Sequence, residues 1–295
     1  MRLGHDGNGS VGRDAGIHNE HPNVLLNPDA GLHVPAGQAL DRNAYDQYIG
    51  RWSRLFVPSL LKAAEIVGGH RVLDVATGSG EAAVAALLIV GDTGIVVGAD
   101  VSPAMVTAAR ARLPRDFLPM VMNGQSLALR SASFDAVICQ LGLMFFPDAM
   151  RGLAEFRRVL CPGRCASVCV ISERENAPMW GILADAVSRQ LPAEPAQLNQ
   201  SFRLGNVDDL KWMFHSVGFH DVRVWPETQT GPSESFDEYW APIEAVVGLI
   251  PQLYRSLPVA VRGAVRNEVR SGLSRFEQDG RLVMSVEMLI GCGRA

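Results

Sequence analysis

The spacing of apolar and polar positions changes period many times along the chain. Residues 72–75, Val-Leu-Asp-Val, form a short run of branched apolar residues, the pattern of a strand buried on both faces. The run turns through Gly78-Ser79-Gly80 into 82–90, which reads as a helix. Upstream, from Ala39, Tyr45, Tyr48, Trp52, Leu55 and Phe56 recur every three or four residues and predict an amphipathic helix. A second helix over 59–67 is expected to stop at Gly68-Gly69. Downstream, strands are expected at 94–100, 117–122, 133–140, 164–171, 217–224 and 281–292. Helices are expected at 102–112, 148–160 and 206–216, with helical spacing at Trp180, Leu183 and Val187. Strands alternating with helices in this way predict an α/β chain built on a doubly wound sheet.

The glycine turn is the natural place for chemistry, because bare backbone at a helix N-terminus lets a ligand lie close. The pattern Gly78-Ser79-Gly80-Glu81-Ala82-Ala83 also fits a dinucleotide loop. Asp74 tilts the reading: a carboxylate inside that strand either faces the ligand or is buried unpaired at high cost. It would repel a pyrophosphate and hold a cation. Asp100, 20 residues beyond Gly80 at the end of the next strand, can accept both hydroxyls of a ribose, and this spacing marks a nucleoside without saying which one.

Four stretches together are similar to class I S-adenosylmethionine-dependent methyltransferases: residues 72–81, the Asp-Val-Ser-Pro-Ala-Met text ending at Met105, the run from Phe134 to Ile171, and Val217-Gly218-Phe219-His220-Asp221-Val222. The third of these closely resembles the methyltransferases of ubiquinone and menaquinone biosynthesis and their small-molecule relatives. The resemblance implies a Rossmann-like, seven-stranded sheet whose last strand is antiparallel. It implies S-adenosyl-L-methionine as cofactor, with Asp74, Thr77, Gly78, Ser79, Gly80, Asp100, Val101, Met105, Asn123, Gly124 and Gln125 around it. Met105 would pack on adenine, and Asn123 stands where the family usually has an Asp accepting from the adenine amino group. Tyr48 or Arg51 would reach the methionyl carboxylate. Gln140, through its backbone, and Met144 and Phe145, through their side chains, would border the transferred methyl group and the acceptor.

About fifty residues, 227–280, lie between the expected sixth and seventh strands, where a simple methyltransferase has a hairpin. Together with 173–205 they are expected to form a helical lid over the acceptor, with Trp240 as a contact. The implied function is methyl transfer to a small apolar or aromatic molecule at carbon, oxygen or nitrogen. The alternatives are a nicotinamide-dependent oxidoreductase and a non-catalytic protein that binds the same donor.

Composition narrows this picture at several points. The chain has 295 residues, 47% of them hydrophobic, enough for a full core. A net charge of -4 and a pI near 6.0 speak against a general nucleic-acid binder. No apolar run approaches the roughly 20 residues that cross a bilayer, and the start lacks a signal-peptide core, so a cytoplasmic protein is expected. A homodimer is left open. Five cysteines suggest reduced thiols. Cys161, Cys165 and Cys169, spaced four apart, do not fit a zinc knuckle, and Cys165 and Cys169 read as core.

Residues 1–38 are expected to be a disordered or loosely packed tail, and its His5, His18, His21 and His33 are not spaced to hold a metal. No metal-ligand cluster and no catalytic base stand out. His215 and His220 lie nearest the expected sheet end in sequence, on a helix and at a strand start.

Overall fold

A computed structural model describes residues 42–295 apart from 115–116, 193–194, 232–233 and 246–247. The expected tail and its four histidines lie outside the described residues.

The described chain opens with one nearly unbroken helical run. It comprises α1 (Arg42–Tyr45), a π-helical turn (Asp46–Gly50), α2 (Arg51–Ser53), a 3-10 turn (Arg54–Phe56) and α3 (Val57–Ala63). Tyr48, Trp52 and Phe56 are buried on one side, as the aromatic spacing predicts. The run ends at Ala63, short of the expected Val67, and the chain then reverses through Glu65, whose φ is 53°.

The βα alternation follows: β1 (Arg71–Val75), α4 (Glu81–Val90), β2 (Ile95–Asp100), α5 (Pro103–Arg112), β3 (Phe117–Val121), β4 (Phe134–Gln140), α6 (Ala149–Val159) and β5 (Leu160–Ile171). Local chemistry sets the helix starts. The Ser102 side chain accepts from Met105 N–H with proline in the first turn, and Asp148 accepts from Arg151 N–H. Cys161-Pro162-Gly163 does not sit in a loop after α6. The helix passes directly into β5, and the pairing of β5 with β4 slips once, between Phe134 and Ala136, to absorb these residues.

Helices α7 (Pro178–Ser188), α8 (Ala196–Gln200) and α9 (Val207–Ser216) lead to β6 (His220–Thr230). Helices α10 (Phe236–Glu244), α11 (Leu249–Ser256) and α12 (Val259–Leu273) precede a two-stranded hairpin, β7 (Glu277–Gln278) with β8 (Arg281–Leu282), and the final strand β9 (Ser285–Arg294).

The main sheet has the order β3-β2-β1-β4-β5-β9-β6. The first five strands are parallel, while β9 runs antiparallel to both β5 and β6. Strand order reverses between β1 and β4, so a crevice opens at their carboxyl ends, where ligands bind in sheets of this kind.

Two boundaries differ from the sequence expectation. Strand β6 continues to Thr230 because residues 224–230 keep pairing with β9 at the sheet edge, where one side is free and polar residues are tolerated. Arg281-Leu282 belong to the small hairpin, so the insertion runs over 231–284.

Both the insertion and residues 172–205 pack back on the sheet's end. A side chain at Gly231 would fall 2.2 Å from the Trp52 ring, and one at Gly205 would fall 2.5 Å from the Ser172 backbone. Arg51 in the first helical run pairs with Glu234 in the insertion at 2.5 Å, with only 3% of the Glu234 side chain exposed.

Cys139, Cys165, Cys169 and Cys292 are buried free thiols, and Cys161 is half-buried. Cys169 Sγ lies 3.5 Å from Met288 Sδ. Among the described residues, no helix is long and apolar enough to cross a membrane.

Candidate active site

The crevice starts from backbone conformation. Between β1 and α4 the chain turns through Ala76 (φ 57°), Gly78 (φ 55°) and Gly80 (φ 86°). Such angles suit glycine and strain alanine. Gly80 is fixed twice over, since a Cβ there would also lie 2.4 Å from Leu113 Cδ1 of the helix connection beyond α5. Across the switch point, Leu141 (φ 52°) leaves β4 in the same left-handed way, and a Cβ on Gly142 would lie 2.3 Å from the Ala76 Cβ. The two loops therefore meet backbone to backbone and form the crevice floor. Strained non-glycine residues at Ala76 and Leu141 mark a place where geometry is held by its surroundings.

Two acids lie on this floor. Asp74 is 1% exposed; its Oδ2 accepts from the Thr77 hydroxyl at 2.7 Å, and the Ala83 N–H also donates to it. Burial pushes its carboxyl up to about 7, with Asp100 adding to the rise and the two hydrogen bonds opposing it. Asp100 accepts from Gly78 N–H and Ser102 N–H, each at 2.9 Å, which fixes the carboxylate plane at the tip of β2. Burial raises its pKa, and those two backbone donors hold it down.

Tyr45 comes over the top from the first helical run. Burial, then the nearby Asp100, Glu81 and Asp46 carboxylates, keep its phenol protonated.

Two adjoining cavities share Tyr45, Ile49, Ala76, Gly78, Gln140 and Leu141 and form one crevice. The smaller part holds Asp74, Thr77, Ser79 and Glu81. The larger holds Asp100, Val101, Met105, Asn123, Gly124 and Gln125 along one side and Tyr48, Met144 and Phe145 further in. Asn123 Oδ1 accepts from Gln125 N–H at 2.9 Å, and Gln125 Oε1 accepts from Asp148 N–H at 2.6 Å, which pins this loop to the start of α6. The Gln140 side chain donates to the Ser53 carbonyl at 2.6 Å, tying the first helical run to the end of β4 and leaving the Gln140 backbone at the crevice.

Three expected contacts stand elsewhere. Gly80 lines neither cavity and serves the turn. Arg51 also lines neither, because its guanidinium is taken by Glu234. Trp240 is 3% exposed within the insertion, stacked on Phe236 and edge-on to Tyr254, with its N–H donated to Glu244 at 2.9 Å. Helical spacing cannot distinguish a residue facing the sheet end from one facing neighbouring insertion helices. His215 and His220 line neither cavity.

Several wall residues escaped the sequence reading. Ala76 and Leu141 carry no glycine to betray their backbone angles. Trp180 and Ser201, and Leu249 and Ile250 at the start of α11, lie in the two segments expected as a lid but were not singled out within them.

Among the described residues lining the crevice there is no lysine, arginine or histidine, whereas Asp74, Glu81 and Asp100 are all present. Arg112 and Arg54 pair with Glu81, so the acidity left to the wall is that of Asp74 and Asp100, which disfavours a pyrophosphate and attracts a cation. The bare backbone at Gly78 and the paired oxygens of Asp100 suit a ribose and its substituents. The residues present therefore fit a positively charged adenosine derivative.

The family described as "Methyltransferase domain" matches residues 73–166. The chain is 34% identical over 131 residues to the aklanonic acid methyltransferase of Streptomyces sp. strain C5, covering 41% of this chain and 60% of that protein. It is 30% identical over 179 residues to a demethylmenaquinone methyltransferase of Staphylococcus aureus, covering 56% and 74%. Among solved structures, the YcgJ protein of Bacillus subtilis superposes with a TM-score of 0.52 at 18% identity, covering 81% of this chain and 98% of that one. A candidate methyltransferase from an antibiotic biosynthesis pathway of Anabaena variabilis gives 0.55 at 14% identity, covering 80% and 96%. These structures share the fold, and the family match spans the loops that carry Asp74 and Asp100. With S-adenosylmethionine as its cofactor, the chain belongs to the class I S-adenosylmethionine-dependent methyltransferases.

Proposed function

We propose that this enzyme methylates a small, apolar and flat molecule held beneath the helices of residues 173–205 and 231–284. One observation carries the reading: the crevice has an acidic end at β1 and β2 and an uncharged end walled by Met144, Phe145, Ile171, Trp180, Leu249 and Ile250. The relatives named for aklanonic acid and demethylmenaquinone support a small-molecule acceptor.

In this reading Asp100 accepts the ribose hydroxyls, Gly78 lets the donor lie on backbone, and Met105 packs on adenine. Asn123 serves the adenine amino group through an oxygen it already shares with Gln125. Asp74 supplies negative charge behind the loop. Arg51 holds the insertion in place and does not touch the donor. Bound there, S-adenosylmethionine supplies an electrophilic methyl group on a sulfonium. The chain's contribution is to bring the acceptor atom into line at about 3–3.5 Å and to keep water out. Gln200 Nε2 supports this by donating to the Met144 carbonyl at 3.1 Å, which fixes the turn that carries Met144 and Phe145.

The test is incubation of the full chain with isotopically labelled donor and small-molecule extracts, read by mass spectrometry. The expected result is an apolar compound heavier by one methyl group only when enzyme is present. Donor binding without transfer to any compound would instead favour a non-catalytic donor-binding protein. Nicotinamide fluorescence is expected to stay unchanged on titration.

A further inference from the structure

A separate cavity opens at the amino ends of the parallel strands, on the far side of the sheet from the crevice. Glu65, Cys165, Asp221, Arg223, Cys292 and Arg294 line it. The strand ladder places its two thiols. Cys165 on β5 stands opposite Arg294 on β9, and Cys292, two residues before Arg294, therefore points to the same face of the sheet. On the other side of β9, Cys292 stands opposite Arg223 of β6. The outcome is a diagonal pair of cysteines, each with an arginine across the ladder. Cys165 is 5% exposed and Cys292 is 2% exposed, and both are free thiols.

Diagonal neighbours on antiparallel strands lie roughly 7 Å apart, beyond the roughly 4 Å between Cβ atoms that a disulfide requires. Zinc takes four donors, and among the described residues no three of His, Cys, Asp and Glu come together to hold a metal ion. A cation satisfied by two sulfurs fits. Two metal–sulfur bonds of about 2.3 Å in line span about 4.6 Å, a gap that two cysteine side chains leaning toward each other across the diagonal can leave. The surrounding charges suit such an ion. Arg223 donates to the Cys292 sulfur, and the Glu65 carboxylate accepts from the Cys165 S–H. Arg294 is held by Glu65 at 2.5 Å and by Asp221 at 3.7 Å, a partly exposed link that water screens and that does not seal the cavity. Burial pushes the Cys165 thiol up to about 11 and raises Cys292 too, so both keep their protons until a metal displaces them.

We propose that Cys165 and Cys292 form a two-sulfur site for a soft monovalent metal ion, copper(I), set apart from the methyl-transfer crevice. On binding, each sulfur forms one bond to the ion and gives up its proton to solvent, the Cys165 proton by way of Glu65. No electron is transferred. Two thiolates and one monovalent cation leave a single negative charge, which the Arg223 guanidinium balances. The two cysteines lie 127 residues apart in the chain and meet only because β9 inserts beside β5. The site owes nothing to the donor-binding residues, so it stands or falls independently of the proposed methyl transfer.

The test is titration of the full chain, without oxygen and with ascorbate, against copper(I) supplied as its coloured bicinchoninate complex. The wild type is expected to withdraw one copper(I) per chain, with an excess of zinc(II) making no difference. Cys165→Ala and Cys292→Ala should each abolish the uptake, and Cys161→Ser should leave it as in the wild type. Copper(I) should raise the unfolding temperature of the wild type and of Cys161→Ser but not of the two alanine variants, a readout that also reports whether each variant folds. X-ray absorption at the copper edge of the loaded wild type should show two sulfur neighbours and no nitrogen, which keeps the proposal open to refutation if an alanine variant does not fold. No uptake by the wild type, uptake that survives in a folded Cys165→Ala or Cys292→Ala chain, displacement by zinc(II), or nitrogen coordination would overturn it.

Discussion

The two ends of the crevice are built by opposite means. At the donor end, contiguous chain does the work: β1, its glycine turn, α4 and the tip of β2 lie within residues 71–100, and backbone angles and two acids define the surface. At the acceptor end, side chains from four separate stretches meet, at Tyr48, Met144, Trp180 to Ser201, and Leu249-Ile250. The first kind of site depends on conformations few residues can adopt, so it tolerates little change. The second depends on apolar volume, which many residue combinations can fill. The donor end is thus the more constrained part of the crevice.

The largest expected effect breaks the acceptor end alone. Trp240→Ala empties the buried stack of Phe236, Trp240 and Tyr254 and should cost about 3–5 kcal/mol in denaturant unfolding. Affinity for an acceptor probe should fall with it, while donor affinity stays within a few-fold of wild type. Equal losses at both ends would show that the two regions are not separable.

The converse substitution is Asp100→Ala. It removes the acceptor of Gly78 N–H and Ser102 N–H and, in the proposed complex, of the ribose hydroxyls. Donor affinity measured by calorimetry should fall roughly a hundredfold, two charge-assisted hydrogen bonds at about 1.5 kcal/mol each.

Asp74→Asn sharpens the comparison through pH. The folded chain binds a proton at Asp74 up to about pH 7, whereas the free side chain releases it near 3.8. Between those values the folded state holds more proton than the unfolded state, so this group's contribution to stability declines as pH rises from about 4 through 7. Above 7 the buried charge is a standing cost that a cationic donor relieves. Asp74→Asn should therefore melt a few degrees higher than wild type at pH 8 and near wild type at pH 5, with weaker donor binding at pH 8. A lower melting temperature at pH 8 would show that the carboxylate is not destabilising the free enzyme.

The smallest effect concerns the link between the two regions. Replacing both members of the Arg51–Glu234 pair, Arg51→Met with Glu234→Met, should change the denaturant midpoint by no more than about 1 kcal/mol, because losing the attraction is offset by losing two desolvation costs. A large loss would make this pair a principal fastening of the insertion.

How much of this was legible in the sequence follows the same division. Gly78, Gly80, Asp74 and Asp100 could be read directly because their roles restrict residue type and spacing. The helix starts near Ser102 and Asp148 were legible too, and the structure shows both residues as side-chain caps. Ala76 and Leu141 adopt glycine-like angles without glycine, so their place on the floor could not be seen. Strand β6 was read too short because Glu227, Thr228 and Gln229 look like loop, yet an edge strand tolerates them. Arg51 and Trp240 were given ligand roles that the fold assigns to an ion pair and an aromatic stack. Trp180 was legible only as part of a helix in the expected lid, because helical spacing does not say which residue of the lid lines the cavity.

The central claim is that acids at the tips of β1 and β2 grip a positively charged adenosine derivative, and a crystal structure of the full chain with S-adenosylmethionine tests it most directly. The account predicts ribose hydroxyls within hydrogen-bond distance of both Asp100 oxygens, the adenine beside Met105 and Asn123, and the sulfonium facing the cavity of Met144 and Trp180. An adenosine bound elsewhere, or ribose hydroxyls turned away from Asp100, would contradict it.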